Sequence, residues 1–441
     1  MNAPYPTRTF DAATRPLNVL IIGGGIGGLA LAQGLKREGI SVAVYERDRS
    51  LASRLQGYRV HISPGGSRAL HECLPAHLFA AFDRTCGKQG RAFRMMTEQM
   101  KPLLSLDLSM IKNDDAIARH RSVSRITLRQ VLMAELAELH LGKAFVRYEE
   151  RGGRVIAHFD DGTSAEGDIL VAADGSGSRV RRQFLPDASL VDTGVAAVGG
   201  KVFLDEARER LAPALRDGMC LVAGRDGTGL FVALQDSAAT DGAIGGNEPG
   251  SEASGAVFEN TRSYVMWGLG TMRHKIAGLD PNERDCVKLS AVAQRLVAGW
   301  APAFRDLIAL ADPTTLSQFS IRTSTPVAPW PTGRVTLVGD AIHAMTPYRG
   351  IGANMALEDA VRLKRALVAA ARGERDLFEA IGGYEDAMRD YAFRAVRNSL
   401  QAMNGAVDAG PVRLSLQRLM FRTIDRLPAV KRWMASRMGR D

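Results

Sequence analysis

The spacing of apolar residues changes period several times along the chain. Residues 17–22, LNVLII, form a continuous apolar run of strand length, and residues 26–39, IGGLALAQGLKREG, place their apolar side chains at helical spacing until Gly39. SVAVYE, residues 41–46, predicts a second strand, so this first stretch reads as a βαβ unit. Two further buried strands are predicted inside DILVAADGSGSRVRR (168–182) and GRVTLVGDAIHAMTPYRGIGANMALEDA (333–360), the latter running on into a Pro/Gly loop and a helix. Between them KVFL, CLVAG, GLFVAL, SYVMWGLG and SQFSIRTS are strand-like, with Gly-containing turns such as RDGTG, and predict an antiparallel sheet. QDSAATDGAIGGNEPGSEASGA (235–256) is Gly/Ser/Ala-rich and predicts a long mobile loop. From Leu363 onward the pattern is helical, with a turn at Gly410-Pro411 and a last basic, amphipathic stretch broken at Pro428.

These elements predict an α/β protein: a Rossmann-like domain, an inserted antiparallel-sheet domain and a C-terminal helical tail. The first domain is assembled from residues 15–68, 116–190 and 320–395, the second from 69–115 and 191–319, and the tail from 396–441. A chain of 441 residues accommodates two or three domains. The four cysteines stand far apart with no CxxC and no paired His, which predicts reduced structural thiols and no metal site. Five glycines at 23–25, 27 and 28 interrupt the first apolar run, so it reads as neither a signal peptide nor a membrane span. The preceding leader has scattered basic residues, and the expected location is cytoplasmic.

Net charge is +9, and residues 412–441 hold eight Lys or Arg against two Asp. No nucleic-acid recognition motif accompanies that excess. A solvated basic helix face, peripheral contact with an acidic lipid surface, and attraction of an anionic substrate all remain open.

The glycine knot carries the first chemistry. Gly23 permits a sharp turn after the strand, Gly25 lets the backbone approach a pyrophosphate, and Gly28 lets helix and strand pack closely. Ile26 opens a helix whose free amides and dipole suit phosphate. Glu46, eighteen residues after Gly28, is placed to accept ribose hydroxyls. The pattern indicates a dinucleotide without deciding between FAD and a nicotinamide. Asp340 closes a later strand where open α/β sheets bind ligands, and PYRGIGAN (347–354) offers bare backbone at Gly350 and Gly352 to a flat ring edge.

In this order and spacing, the GxGxxG, DG (Asp174-Gly175) and GD (Gly339-Asp340) motifs resemble those of the single-component FAD-dependent aromatic hydroxylases and epoxidases, the para-hydroxybenzoate hydroxylase-like flavoprotein monooxygenases. That resemblance implies tightly bound, non-covalent FAD and NAD(P)H as a transient co-substrate. It places Gly23, Gly25, Ile26, Gly28, Glu46, Arg47, Gly57, Arg125, Asp174, Asp340, Pro347, Gly350, Ile351, Gly352 and Asn354 on the cofactor. Asp340 would bond the ribityl chain, Gly350 to Asn354 would line the isoalloxazine, and Pro347 would stand near its reactive edge. Arg125 in SRITLRQVL would reach the FAD, with Arg129 as the weaker candidate on the same face.

The implied reaction is hydroxylation or epoxidation of an aromatic, polyketide- or alkaloid-like molecule by O₂ through a flavin C4a-hydroperoxide, in secondary metabolism. The alternative is a reductase or dehydrogenase of the same fold; a halogenase would carry WxWxIP, and none is present. Catalytic groups are undetermined, the candidates being Arg59, His61 and Pro347. Arg59 and His61 share one face of a predicted strand, where His61 is either a proton acceptor or a structural histidine. His343 is read as a loop-fixing residue, and a monomer or homodimer is expected.

Overall fold

The computed structural model describes residues 16–50, 58–88, 90–110, 115–237, 262–280, 283–408 and 410–438. Gly57, the N-terminal leader and most of the Gly/Ser/Ala-rich loop lie outside them.

Five parallel strands form the first sheet, in the order β17 (Val335–Leu337), β11 (Ile169–Ala172), β1 (Asn18–Ile22), β2 (Ser41–Glu46) and β7 (Leu139–Leu141). β11, β1 and β17 are almost wholly buried, as expected of parallel strands covered on both faces. Helix α1 (Ile26–Arg37) follows β1 and is buried along nearly its whole length, ending where Gly39 takes φ +78°. Helices α2 (Pro64–Cys73), α3 (Arg125–Met133) and α4 (Gly352–Ala371) pack against it, and α5 (Leu377–Val407) packs on α4.

The second large sheet has seven strands: β16 (Ser317–Ser324), β12 (Leu190–Phe203), β15 (Tyr264–Met272), β14 (Gly229–Gln235), β13 (Gly218–Ala223), β4 (Ala92–Met96) and β5 (Pro102–Asp107). The expected antiparallel sheet is corrected in one place, because β4 and β13 pair in parallel. Their connection crosses other elements, a long-range pairing that local alternation does not encode. β12 is also much longer than KVFL predicts, with a break in register between Asp192 and Ala196. A core of its own, including Trp267, Val232 and Phe304, lies under this sheet. A smaller antiparallel sheet joins β8 (Phe145–Arg151), β9 (Arg154–Phe159) and β10 (Ser164–Gly167), and β3 (Arg59–Ile62) pairs with β6 (Arg121–Ser124).

Three sequence-based boundaries cut through elements. A division at 68/69 falls inside α2, whose Leu70 and Cys73 belong to the first core. Divisions at 319/320 and 395/396 fall inside β16 and α5, where strand pairing with β12 and the unbroken helix carry the elements across the expected borders. The last two helices, α6 (Pro411–Asp425) and α7 (Pro428–Met438), break at Pro428 as expected.

Candidate active site

β1, β11 and β17 are neighbours and run in parallel, so their carboxyl ends open on one edge of the sheet. The three motifs leave from those ends: Gly23 after β1, Asp174 after β11 and Asp340 after β17. Ligands of open α/β sheets bind at this edge.

The glycines divide by what surrounds them. Gly23 has φ +112°, and an added Cβ would meet Ala173 O at 2.3 Å and Asp174 Cα at 2.8 Å. A Cβ on Gly28 would meet Gly23 O at 2.4 Å, so close packing requires both residues. At Gly25 the nearest atom would be Ala173 O at 3.9 Å, and φ is −83°. No protein neighbour demands a glycine there. α1 begins at buried Ile26 with no capping side chain and no acid in its first turn, leaving its amides to an anion.

Glu46 has protein partners of its own. Its Oε2 accepts Gly24 N–H at 2.7 Å and its Oε1 accepts Asp48 N–H at 2.9 Å, so the carboxylate braces the turn. Arg129 joins it, donating Nε–H to Gly24 O at 2.7 Å and standing 3.3 Å from Glu46 Oε2. Arg129 therefore sits at the glycine turn, whereas Arg125 is exposed at the start of α3 and acts electrostatically on Asp340. Arg47 is exposed just after β2. Asp174 Oδ2 accepts Arg179 N–H at 2.8 Å and Val180 N–H at 3.4 Å. Its Oδ1 is buried with no partner among the described residues, and burial raises its pKa.

Asp340 is reached by solvent although protein surrounds it, the mark of a cleft wall. Burial raises its pKa, opposed by His343 and Arg125. Behind it Asp359 Oδ2 accepts from Gly339 N at 2.6 Å and pairs with His343 Nε2 at 2.6 Å, while Tyr391 Oη donates to Oδ1. Burial would lower the His343 pKa, but the charge and hydrogen bond of Asp359 outweigh it and raise it. Ala356 on α4 touches both remaining pieces: a Cβ at Gly27 or Gly339 would come within 3.0 or 3.1 Å of its Cβ. Arg181 Nη1 donates to Ala341 O at 2.7 Å, tying the DG segment to the GD turn.

Pro347 is exposed at the start of a one-turn 3-10 helix that ends at Gly350 in the left-handed region, φ +62°. Ile351 then leads into α4, whose first turn from Gly352 also lacks a capping side chain and an acid. The Asn354 side chain is buried, with Oδ1 accepting Ser63 N–H at 2.8 Å and Nδ2 donating to His61 O at 2.9 Å. Its side chain fastens α4 to β3.

Arg59 and His61 on β3 turn toward the seam between the two large sheets. Arg59 Nε donates to Ser122 Oγ at 2.6 Å, and Ser122 Oγ bonds Gln235. His61 stacks on His120 with ring centroids 5.0 Å apart, and His120 Nδ1 lies 3.1 Å from His61 Nε2. Burial, then Arg59, then His120 push the His61 pKa down to about 3. The His61 ring is thus held in a packed histidine pair, a setting that suits a structural histidine. Beside them Lys201 stands 4.6 Å from the Tyr264 ring centroid, its pKa lowered to about 8 mainly by burial. Sequence inspection missed Asp359 and Lys201, and singled out Arg181 without giving it a partner. Asp359 sits in the quoted ALEDA, but only the fold turns it toward Gly339.

A parallel-sheet edge, an uncapped helix start behind GxGxxG and an unpartnered Asp174 oxygen fit the adenine-dinucleotide half of FAD. The Gly350 loop and Asp340 fit its flavin half. Comparison with known proteins agrees. An FAD binding domain family matches residues 122–399, and an NAD(P)-binding Rossmann-like domain matches residues 21–98. The second match covers the GxGxxG unit, whose adenine-nucleotide geometry serves either cofactor.

A dual O-methyltransferase/FAD-dependent monooxygenase, elcB, of Phaeosphaeria nodorum is 30% identical over 86% of this chain and 44% of its own length. The chain thus spans less than half of that fungal relative. The FAD-dependent urate hydroxylase of Klebsiella pneumoniae is 30% identical over 86% of this chain and 88% of its own. An FAD-containing monooxygenase from Photorhabdus luminescens superposes with a TM-score of 0.77 at 32% identity, covering 89% of this chain and 99% of that one. Klebsiella pneumoniae HpxO, solved with FAD and uric acid, superposes at 0.75 with 26% identity, covering 96% and 97%. The chain belongs to the FAD-dependent monooxygenase family.

Proposed function

We propose that this protein uses NAD(P)H and O₂ to insert one oxygen atom into an aromatic or alkene-bearing small molecule of secondary metabolism. The observation that carries this reading is the convergence of Gly25, Asp174 and Asp340 on one edge of the parallel sheet, closed by the Gly350 loop. FAD, when bound, supplies electron transfer and oxygen activation. The chain's own tasks are binding, orientation and exclusion of water. The amides opening α1 receive the diphosphate, Asp340 holds the polyol chain, and the amides opening α4 favour negative charge at a ring edge. Asp359 keeps the Asp340 turn in shape through Gly339 and His343.

We read the seven-stranded sheet as the wall over the reacting face, with Arg59, His61 and Lys201 at its seam with the first core. The discontinuous division expected from sequence is kept in outline, with its borders moved out of α2, β16 and α5. The test is anaerobic titration of the purified protein with NADH and NADPH, then aeration under ¹⁸O₂ with a panel of phenols and polyketide-type aromatics. Label in a product supports the reading; reduction with label only in peroxide and water supports a reductase or dehydrogenase.

A further inference from the structure

Ten large apolar side chains are exposed among the described residues, and six of them lie between 412 and 433: Val412, Leu416, Leu419, Met420, Leu427 and Trp433. Each is 46% to 74% exposed. The four on α6 follow the spacing i, i+4, i+7, i+8, which at about 100° per residue confines them to an arc of about 100°. Thr423 falls in that arc, but its hydroxyl donates to Leu419 O at 3.0 Å and so is satisfied within the helix.

The opposite side of α6 is anchored. Leu414 is buried, Arg418 pairs with Glu98 and donates to Ala223 O at 2.8 Å, and Asp425 Oδ1 accepts Ser105 N–H at 3.0 Å on β5. The apolar arc therefore faces outward by construction. Arg413, Arg422, Arg426 and Arg432 are exposed around it, and among the described residues none of the four pairs with a carboxylate.

From this we infer that α6 and α7 form a docking face for an anionic phospholipid bilayer. An apolar stripe bordered by arginines, with an exposed tryptophan on the next helix, suits the headgroup boundary, where the side chains enter by roughly 5–10 Å and the guanidinium groups meet phosphates. A second copy of the chain is the poorer occupant, because a two-fold contact on this face would set arginine against arginine. No helix among the described residues is long and apolar enough to cross a membrane, so the contact is peripheral.

The test is co-sedimentation of the FAD-loaded full chain with vesicles of phosphatidylcholine alone or mixed with phosphatidylglycerol. Binding is expected only to the mixed vesicles, weakening as salt rises. Leu416→Gln with Leu419→Gln, and separately Arg413→Glu with Arg426→Glu, should each lower partitioning at least about tenfold. Val287→Gln, at an exposed valine elsewhere, should leave it unchanged. Flavin content checks that each variant is folded. Absence of binding to the mixed vesicles, equal binding to both compositions, or unaffected binding by both double variants overturns the inference. So does a change in oligomeric state by sedimentation velocity without a change in vesicle binding.

Discussion

His343 Nε2 and Asp359 Oδ2 lie 2.6 Å apart with both side chains fully buried, directly behind the turn that presents Asp340. Removing one member of a buried pair leaves the other uncompensated, so Asp359→Asn should cost about 3 kcal/mol of unfolding free energy by denaturant titration. The raised His343 pKa sets the pH dependence. Its contribution is fully present below the ordinary histidine value and is lost as pH rises through the folded value. His343→Gln should flatten that slope on the alkaline side.

Gly25 and Gly28 separate ligand approach from packing. Gly25→Ala has room and an ordinary φ, so stability should stay within about 0.5 kcal/mol of the parent while FAD affinity falls about tenfold or more. Gly28→Ala drives a Cβ to 2.4 Å from Gly23 O and should reduce soluble, folded protein. Equal losses of folding in both variants would refute the distinction. Circular dichroism and flavin fluorescence read it directly.

Asp340→Ala should weaken FAD retention while the seven-stranded sheet stays folded. The raised carboxyl pKa means the charged form is disfavoured in the folded protein, so apo stability falls as pH rises from below the ordinary carboxylate value through the folded value. Asp340→Asn should remove that fall in thermal scans of the apoprotein. Purification of Asp340→Ala with full yellow colour would count against its placement on the cofactor.

Asn354→Ala breaks bonds to Ser63 N and His61 O and should cost about 1–3 kcal/mol. Asn354→Asp keeps the acceptor for Ser63 N but sets a buried carboxylate oxygen against His61 O, so it should retain no more stability than alanine, a ranking that urea midpoints check.

The βαβ opening was legible because each step has a local cause: an apolar strand, glycines where backbones nearly touch, and a helix ended by Gly39. The strand ends at Asp174 and Asp340 were legible for the same reason. The side-chain partners of Asn354 and Glu46 are backbone groups 291, 293, 22 and 2 residues away, and only the Asp48 contact is local enough to be read from sequence. The β4–β13 and β12–β16 pairings and the burial that ties α2 and α5 to the first core are long-range, so local pattern does not set those borders. His61 is a candidate base by residue type alone; burial, then Arg59, then His120 lower its pKa to about 3, surroundings that no local pattern announces.

Rapid mixing of the NAD(P)H-reduced holoprotein with oxygenated buffer, followed by absorbance, tests the central claim most directly. Oxygen insertion predicts a transient band at about 380 nm before oxidised flavin returns. Direct, single-step return to oxidised flavin, with and without the aromatic panel present, would contradict it.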